Sequence, residues 1–221
     1  IKEGNNILGL VPQVVASYIN ENKLYAGKEK FMYNIEEIKK ILRKNLGEKR
    51  YLHCLNVAKK AVELAEKYGA DTKKAEVAGL LHDITKEFSE KEHMDLMNKY
   101  GEKFSDVEKN VEKLWHAVSG YVFIKNELGI TDPDILNAVR FHTTGRSSMS
   151  LLEKVIFIAD FISEDRSYDG VEKIRESAKI SLDNAIFEGT SFTINCLIKE
   201  GAQIDLGTIM AYNEAIDNMK V

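Results

Sequence analysis

Proline, cysteine and tryptophan are scarce in this sequence: two, two and one in 221 residues. The two cysteines, Cys54 and Cys196, cannot build a disulfide framework and form no Cys-x-x-Cys pair. Both lie in apolar, helix-like surroundings and are expected as buried thiols of a protein kept in a reducing cytoplasm. The prolines stand only at 12 and 133, and strand-like alternation is rare, so long helices can run without a break. No run approaches the roughly 18–20 consecutive apolar residues of a membrane span. The opening IKEGNNILGL lacks the charged-then-apolar layout of a signal peptide. An excess of positive charge is missing too. The 31 basic and 35 acidic residues leave a net charge of −4, which argues against sequence-independent binding to nucleic acid.

What is present is a globular composition, 44% hydrophobic and 30% charged, with apolar residues at helical spacing almost throughout. The expected fold class is therefore all-α. Helices are predicted over 11–21, 34–45, 48–68, 72–86, 89–100, 107–129, 133–142, 150–165, 169–178, 181–200 and 208–219, with Asp71, Ser89, Asp132 and Ser150 standing where N-caps would stand. One boundary falls in the polar stretch Ala26-Gly27-Lys28-Glu29-Lys30, which divides a short tail, 1–30, from a main body, 31–221. The tail carries Leu10-Val11-Pro12-Gln13-Val14-Val15-Ala16-Ser17-Tyr18-Ile19 and then Lys23-Leu24-Tyr25. It resembles the C-terminal end of bacterial nicotinate mononucleotide adenylyltransferases, whose own phosphate-binding motifs are absent, so no adenylyltransferase activity follows.

The chemistry sits in the histidines. A helical wheel of 51–68 gathers Lys59, Lys60, Glu63, Glu66 and Lys67 on one side. His53 falls at the edge of the opposite, apolar arc, with Arg50 one turn earlier in the same half. In Val77-Ala78-Gly79-Leu80-Leu81-His82-Asp83-Ile84 apolar residues ring the helix, so His82 and Asp83 are buried side by side. Ala75, Ala78 and Gly79 leave room there for another helix. A buried ionised Asp costs several kcal/mol without a partner, and a divalent cation shared with His82 supplies one. Asp160 is the single polar residue in Val155-Ile156-Phe157-Ile158-Ala159-Asp160-Phe161-Ile162, which makes ligation a stronger reading than a structural ion pair. His116, in Leu114-Trp115-His116-Ala117-Val118, and His142 also lie in apolar helix surroundings. The Thr143-Thr144-Gly145-Arg146 that follows His142 looks like a helix end opening into a phosphate-accommodating loop. His93, in Glu90-Lys91-Glu92-His93, reads as part of a solvated charged stretch. Imidazole and carboxylate together suit iron, manganese or zinc better than calcium.

The order His53, His82-Asp83, Asp160 resembles the HD-domain metal-dependent phosphohydrolases, named for that doublet and built as a helical bundle. "RYLHCLNVAKKAVELAEKYG", "KAEVAGLLHDITKE", "WHAVSGYV", "ILNAVRFHTTGR" and "LLEKVIFIADFISEDR" narrow this to the YqeK-type symmetrical bis(5′-nucleosyl)-tetraphosphatases. The resemblance implies that His53, His82, Asp83 and Asp160 hold a divalent metal, iron first, with manganese or zinc as alternatives and one or two ions in all. His116 and His142 would hold a second metal or the phosphates. Asp83 and Lys86 would be catalytic, and Arg50, Thr143, Arg166 and Thr208 would contact nucleotide, although the family often has a proline near Leu206–Gly207. The implied activity splits diadenosine tetraphosphate into two ADP by attack of metal-bound hydroxide, in a cytoplasmic enzyme that is free of membrane and nucleic acid and could pair as a homodimer. Other HD-type nucleotide phosphohydrolases, and a non-catalytic nucleotide-binding protein with a structural metal, are the alternatives.

Overall fold

The four expected caps form. In the computed structural model, which describes residues 34–219, Asp71 accepts from the amides of Lys73 and Lys74, and Asp132 accepts from Asp134 N. Ser89 and Ser150 make reciprocal capping boxes with Glu92 and Glu153. Each satisfies amides that a helix start leaves unpaired, for about 1 kcal/mol apiece. The expected helix at 11–21 and the adenylyltransferase-like tail lie outside the described residues.

Eleven α-helices follow one another among the described residues, with no strand: α1 (Ile35–Asn45), α2 (Glu48–Tyr68), α3 (Thr72–Leu81), α4 (Glu90–Tyr100), α5 (Asp106–Asn110), α6 (Trp115–Asn126), α7 (Pro133–Phe141), α8 (Leu151–Ile162), α9 (Val171–Ile180), α10 (Leu182–Glu200) and α11 (Leu206–Met219). The all-α expectation holds. Apolar α8 is the central rod, with Val155, Ile156, Phe157, Ile158 and Ala159 buried and α2, α3, α7, α9 and α10 packed around it. Helices α2 and α3 approach so closely that a Cβ on Gly79 would stand 2.6 Å from Ala58 Cα. Only glycine permits that contact, and it sets His53 of α2 beside His82. A second core holds Leu96, Met97, Phe104, Trp115, Val118 and Val122. Among the described residues no helix is long and apolar enough to cross a membrane.

Three expected helices are several residues shorter than predicted, and one of them, 150–165, ends at Ile162. The segment 72–86 leaves the α-helix at Leu81 and continues as three-residue turns, Ile84 N to Leu81 O at 3.2 Å, Lys86 N to Asp83 O at 2.9 Å and Phe88 N to Thr85 O at 3.1 Å. In such a tight coil residues three apart eclipse, so Asp83 and Lys86 share an edge. The segment 107–129 breaks at Val111, where φ is −122°. Trp115 Nε1 donates to Glu108 O at 2.6 Å, and the buried Glu108 carboxylate is held by Ser105 N and Arg140. The cysteine expectation splits as well. Cys54 is buried, and burial pushes its thiol well above the usual range, whereas Cys196 is partly exposed on α10.

Candidate metal centre

Asp83 stands at the middle of five buried or half-buried partners, and its two oxygens face different ones. Oδ2 takes the Arg50 guanidinium at 2.8 Å and faces His82 Nε2 at 3.3 Å and His53 Nε2 at 3.8 Å. Oδ1 faces His116 Nε2 at 3.2 Å and His142 Nε2 at 3.5 Å. Asp160 closes the first side, its Oδ1 lying 3.0 Å from His53 Nε2 and 3.8 Å from His82 Nε2. Helices α2, α3, α6, α7 and α8 thus each send a side chain to, or end at, one point.

Counting hydrogens shows why these groups need something between them. His82 Nδ1 lies 2.8 Å from Gly79 O, and His142 Nδ1 lies 2.8 Å from Val139 O. A carbonyl can only accept, so each ring carries its hydrogen on Nδ1 and, when neutral, turns an Nε2 lone pair toward Asp83. His82 Nε2 and Asp83 Oδ1 have no hydrogen-bond partner although both are buried. Lone pair against carboxylate is repulsive, and a cation relieves it. Two donors about 2.1 Å from one ion and roughly 90–110° apart stand about 3.0–3.4 Å from each other. The spacings here begin in that range, and His53-His82-Asp83, His82-His142-Asp160 and Asp83-His116-His142 each bring their donor atoms within 4.8 Å of one another. The residues fit a divalent metal.

The electrostatics agree. Burial pushes the Asp83 carboxyl up, and positive charge or hydrogen donation from the surrounding His82, His142 and His116 pulls it well below the usual carboxylate range, a part that a cation takes over when the rings are neutral. Burial also raises Asp160, and the His53 hydrogen bond and the Arg166 charge overcome it. Both carboxylates stay ionised. His116 is pushed well below the ordinary imidazole value by burial first, then by the Lys86 charge, so it remains a neutral donor. Burial lowers Lys86 too. Its Nζ lies 3.1 Å from His116 Nε2.

The remaining expected residues divide. Arg166 donates from Nε to Asp160 O at 2.8 Å and pairs through Nη2 with Asp160 Oδ1. Thr143 Oγ1 sits 3.2 Å from His116 Nε2 and 3.1 Å from His142 Nε2. Thr208 stays outside this cluster, buried in the first turn of α11 with its amide on Asp205 O at 3.1 Å. Its loop reaches the one after α7 through Gly207, where a Cβ would meet Gly145 O at 2.6 Å.

Sequence reasoning missed Asp165, whose Oδ2 lies 2.7 Å from His53 Nδ1. An ionised carboxylate here orients the ring and leaves Nε2 for the cluster. It also misplaced His93, which is buried, with Nδ1 2.8 Å from Ser119 Oγ. On α4 the spacing His93, Leu96, Met97 is an inward stripe, a signal hidden by the charged Glu90-Lys91-Glu92 before it.

Comparison with known proteins bears on the same span. The HD domain family matches residues 50–165. The chain is similar to the protein named "Bis(5'-nucleosyl)-tetraphosphatase, symmetrical" of Halalkalibacterium halodurans, 41% identical over 81% of this chain and 96% of that one. The Bacillus subtilis protein of the same name is 38% identical with the same coverage. A Mycoplasma genitalium protein named "Probable nicotinate-nucleotide adenylyltransferase/Ap4A hydrolase" is 29% identical over 79% of this chain and 47% of its own length. Among solved structures, a Clostridium acetobutylicum protein described as a "predicted HD superfamily hydrolase involved in NAD metabolism" superposes with a TM-score of 0.80 at 40% identity, covering 85% of this chain and 99% of that one.

Proposed function

This chain belongs to the HD-domain family, and from that premise we propose that it hydrolyses diadenosine tetraphosphate symmetrically to two ADP, as the names of its relatives indicate for them. The observation that carries the proposal is Asp83, one oxygen turned to His53 and His82 and the other to His116 and His142.

In this reading His53, His82, Asp83 and Asp160 hold a divalent metal, iron first and manganese or zinc as alternatives, while His116 and His142 hold a second ion or the phosphates. When bound, such an ion lowers the pKa of its water from 15.7 toward about 7 and withdraws charge from phosphoryl oxygens. Asp83 orients the attacking water by accepting its hydrogen bond. Arg50 and Arg166, already placed against the two carboxylates, stand where a four-phosphate chain would lie. Lys86, buried beside His116, offsets the charge that grows on the leaving diphosphate. Thr143 can hydrogen-bond a phosphate oxygen from the His116-His142 side, and Thr208 supports the loop that borders it. Attack at an inner phosphorus breaks the bond between the second and third phosphates. The water oxygen stays on one ADP and a proton goes to the bridging oxygen of the other. The buried thiol of Cys54 suits the cytoplasm. Residues 1–30 we read as an adenylyltransferase-type tail, a reading supported by the Mycoplasma genitalium relative that carries both names.

One experiment tests the whole. Elemental analysis of the purified protein is followed by chromatography of products from diadenosine tetraphosphate, dinucleoside triphosphate and mononucleotides. ADP as the sole product of the tetraphosphate is expected, and chelation should abolish it. ATP with AMP, nucleoside with phosphate, or turnover that survives chelation would each overturn the proposal.

A further inference from the structure

Two cavities open beside the cluster, and they meet it at different histidines. One, about 450 Å³, has Arg50, His53, Arg166 and Tyr168 in its wall. The other, about 210 Å³, lies between Lys86, Phe88, His93, Glu112, Lys113 and His116. Between the two histidines stands Asp83, with His53 facing its Oδ2 and His116 facing its Oδ1. Glu87 lines the first cavity and its neighbour Lys86 the second. We propose that the second cavity seats one nucleoside diphosphate half of the dinucleotide while the first seats the other, so that Asp83 lies at the middle of the phosphate chain. This inference rests on the hydrolase reading above.

The chemistry of the second cavity matches such a half. Lys86 projects from the cluster side, where the inner phosphates would be. Half-buried Phe88, backed by the buried His93 ring at 5.8 Å between centroids, offers an aromatic face on which a base can stack. At the rim, Glu112 offers an acceptor for ribose hydroxyls. Lys113 is 84% exposed and held only by a loose 3.8 Å pair to Glu200, which leaves its ammonium able to turn toward an anion. A centre that binds one half alone measures its cut from one end of the substrate. A centre between two seats requires a chain long enough to reach both, and so discriminates the tetraphosphate from the triphosphate.

The test titrates metal-loaded enzyme with ADP by calorimetry and compares diadenosine tetraphosphate with diadenosine triphosphate as substrates. Wild-type protein should bind two ADP per chain. Lys113→Glu reverses the charge at an exposed position, and Phe88→Leu removes the stacking face while keeping apolar bulk. Each should weaken one of the two ADP sites and lower kcat/KM for the tetraphosphate at least about fivefold. Activity on the triphosphate and metal content should stay unchanged in both, and so should the melting temperature of Lys113→Glu, whereas Phe88→Leu also loses its ring contacts with His93 and Phe123 and melts lower. One ADP per wild-type chain, or two variants with unaltered kcat/KM, would overturn the second seat. A wild-type enzyme that releases no ADP from the tetraphosphate would instead sink the hydrolase reading, and the ADP stoichiometry would still decide whether the cavity takes a nucleotide.

Discussion

Histidine is buried in two places in this bundle, and the places differ in what its nitrogens meet. In the cluster, His82 and His142 turn lone pairs toward the Asp83 carboxylate. In the neighbouring core, His93 meets a hydroxyl: its Nδ1 lies against Ser119 Oγ at 2.8 Å, Ser119 lies 2.8 Å from Thr85 Oγ1, and Thr85 donates to His116 O at 2.9 Å. Trp115 and Phe88 close around its ring at 5.9 and 5.8 Å. Burial is alike in both places, so burial does not tell a ligand from a structural histidine. The partners do. With the Thr85 hydrogen given to His116 O, Ser119 donates to Thr85 and accepts from the His93 Nδ1–H, so this chain is satisfied without an ion. A carboxylate facing an unprotonated nitrogen satisfies nothing until a cation arrives.

The sharpest way to break that comparison is to remove one histidine from each place. His82→Ala and Asp83→Ala should reduce bound metal to background and abolish turnover together, as read by elemental analysis and product chromatography. His93→Ala should retain its metal yet lose about 2–4 kcal/mol of stability, from the cavity and the unsatisfied Ser119, measured by urea denaturation. Metal loss in His93→Ala, or full metal in His82→Ala, would erase the distinction.

A smaller change tests whether the cluster depends on how closely its helices approach. Gly79→Ala places a Cβ 2.6 Å from Ala58 Cα, backbone against backbone. Neither side can yield cheaply, so α2 and α3 must part, at a cost of about 1–3 kcal/mol. Metal affinity should fall with the urea midpoint, since His53 and His82 ride on the two helices. Smaller again is Asp165→Asn. It keeps the side-chain shape but weakens the hold on His53 Nδ1, and a chelator competition should show metal bound about 10–100-fold more weakly. The stability of the metal-free protein should change little, because Asp165 is partly exposed.

His82, Asp83 and Asp160 stood out in advance because each is polar where helical spacing demands an apolar residue, a violation visible in one dimension, whereas His53, at the edge of its apolar arc, joined them through the family resemblance. The four N-caps were visible for the same reason: they are local. Asp165 was not visible, because a polar residue at the polar end of the expected 150–165 helix violates nothing, and its role arises only when α2 brings His53 against it. The shortening of 72–86 was equally hidden. Nothing in Ile84-Thr85-Lys86 forbids an α-helix, and the tight turns there follow from what Asp83 and Thr85 touch on other helices. Thr208 was expected by resemblance beside nucleotide, whereas the contact that carries its loop toward the site is made by the glycine before it.

The finest distinction between the two places is in their response to acid. Burial, partly opposed by Glu92 and reinforced by the Lys86 charge, holds His93 below its ordinary pKa of 6.5. The unfolded chain takes a proton at about 6.5, while the folded chain refuses it until the pH is lower. Over that interval the unfolded state binds more protons, so stability is complete above about pH 6.5 and declines as the pH falls below it. In wild-type protein His116 adds to the decline, since burial lowers it as well. His93→Gln replaces the imidazole with a group that does not titrate and still reaches Ser119. Its urea midpoint should therefore fall less than that of wild type between pH 7.5 and 5.5, pH values chosen to straddle the ordinary imidazole value. Equal slopes for the two proteins would mean that His93 gains a proton in the fold as readily as in the unfolded chain, and its hydroxyl partner would then be no more neutral a neighbour than the carboxylates of the cluster.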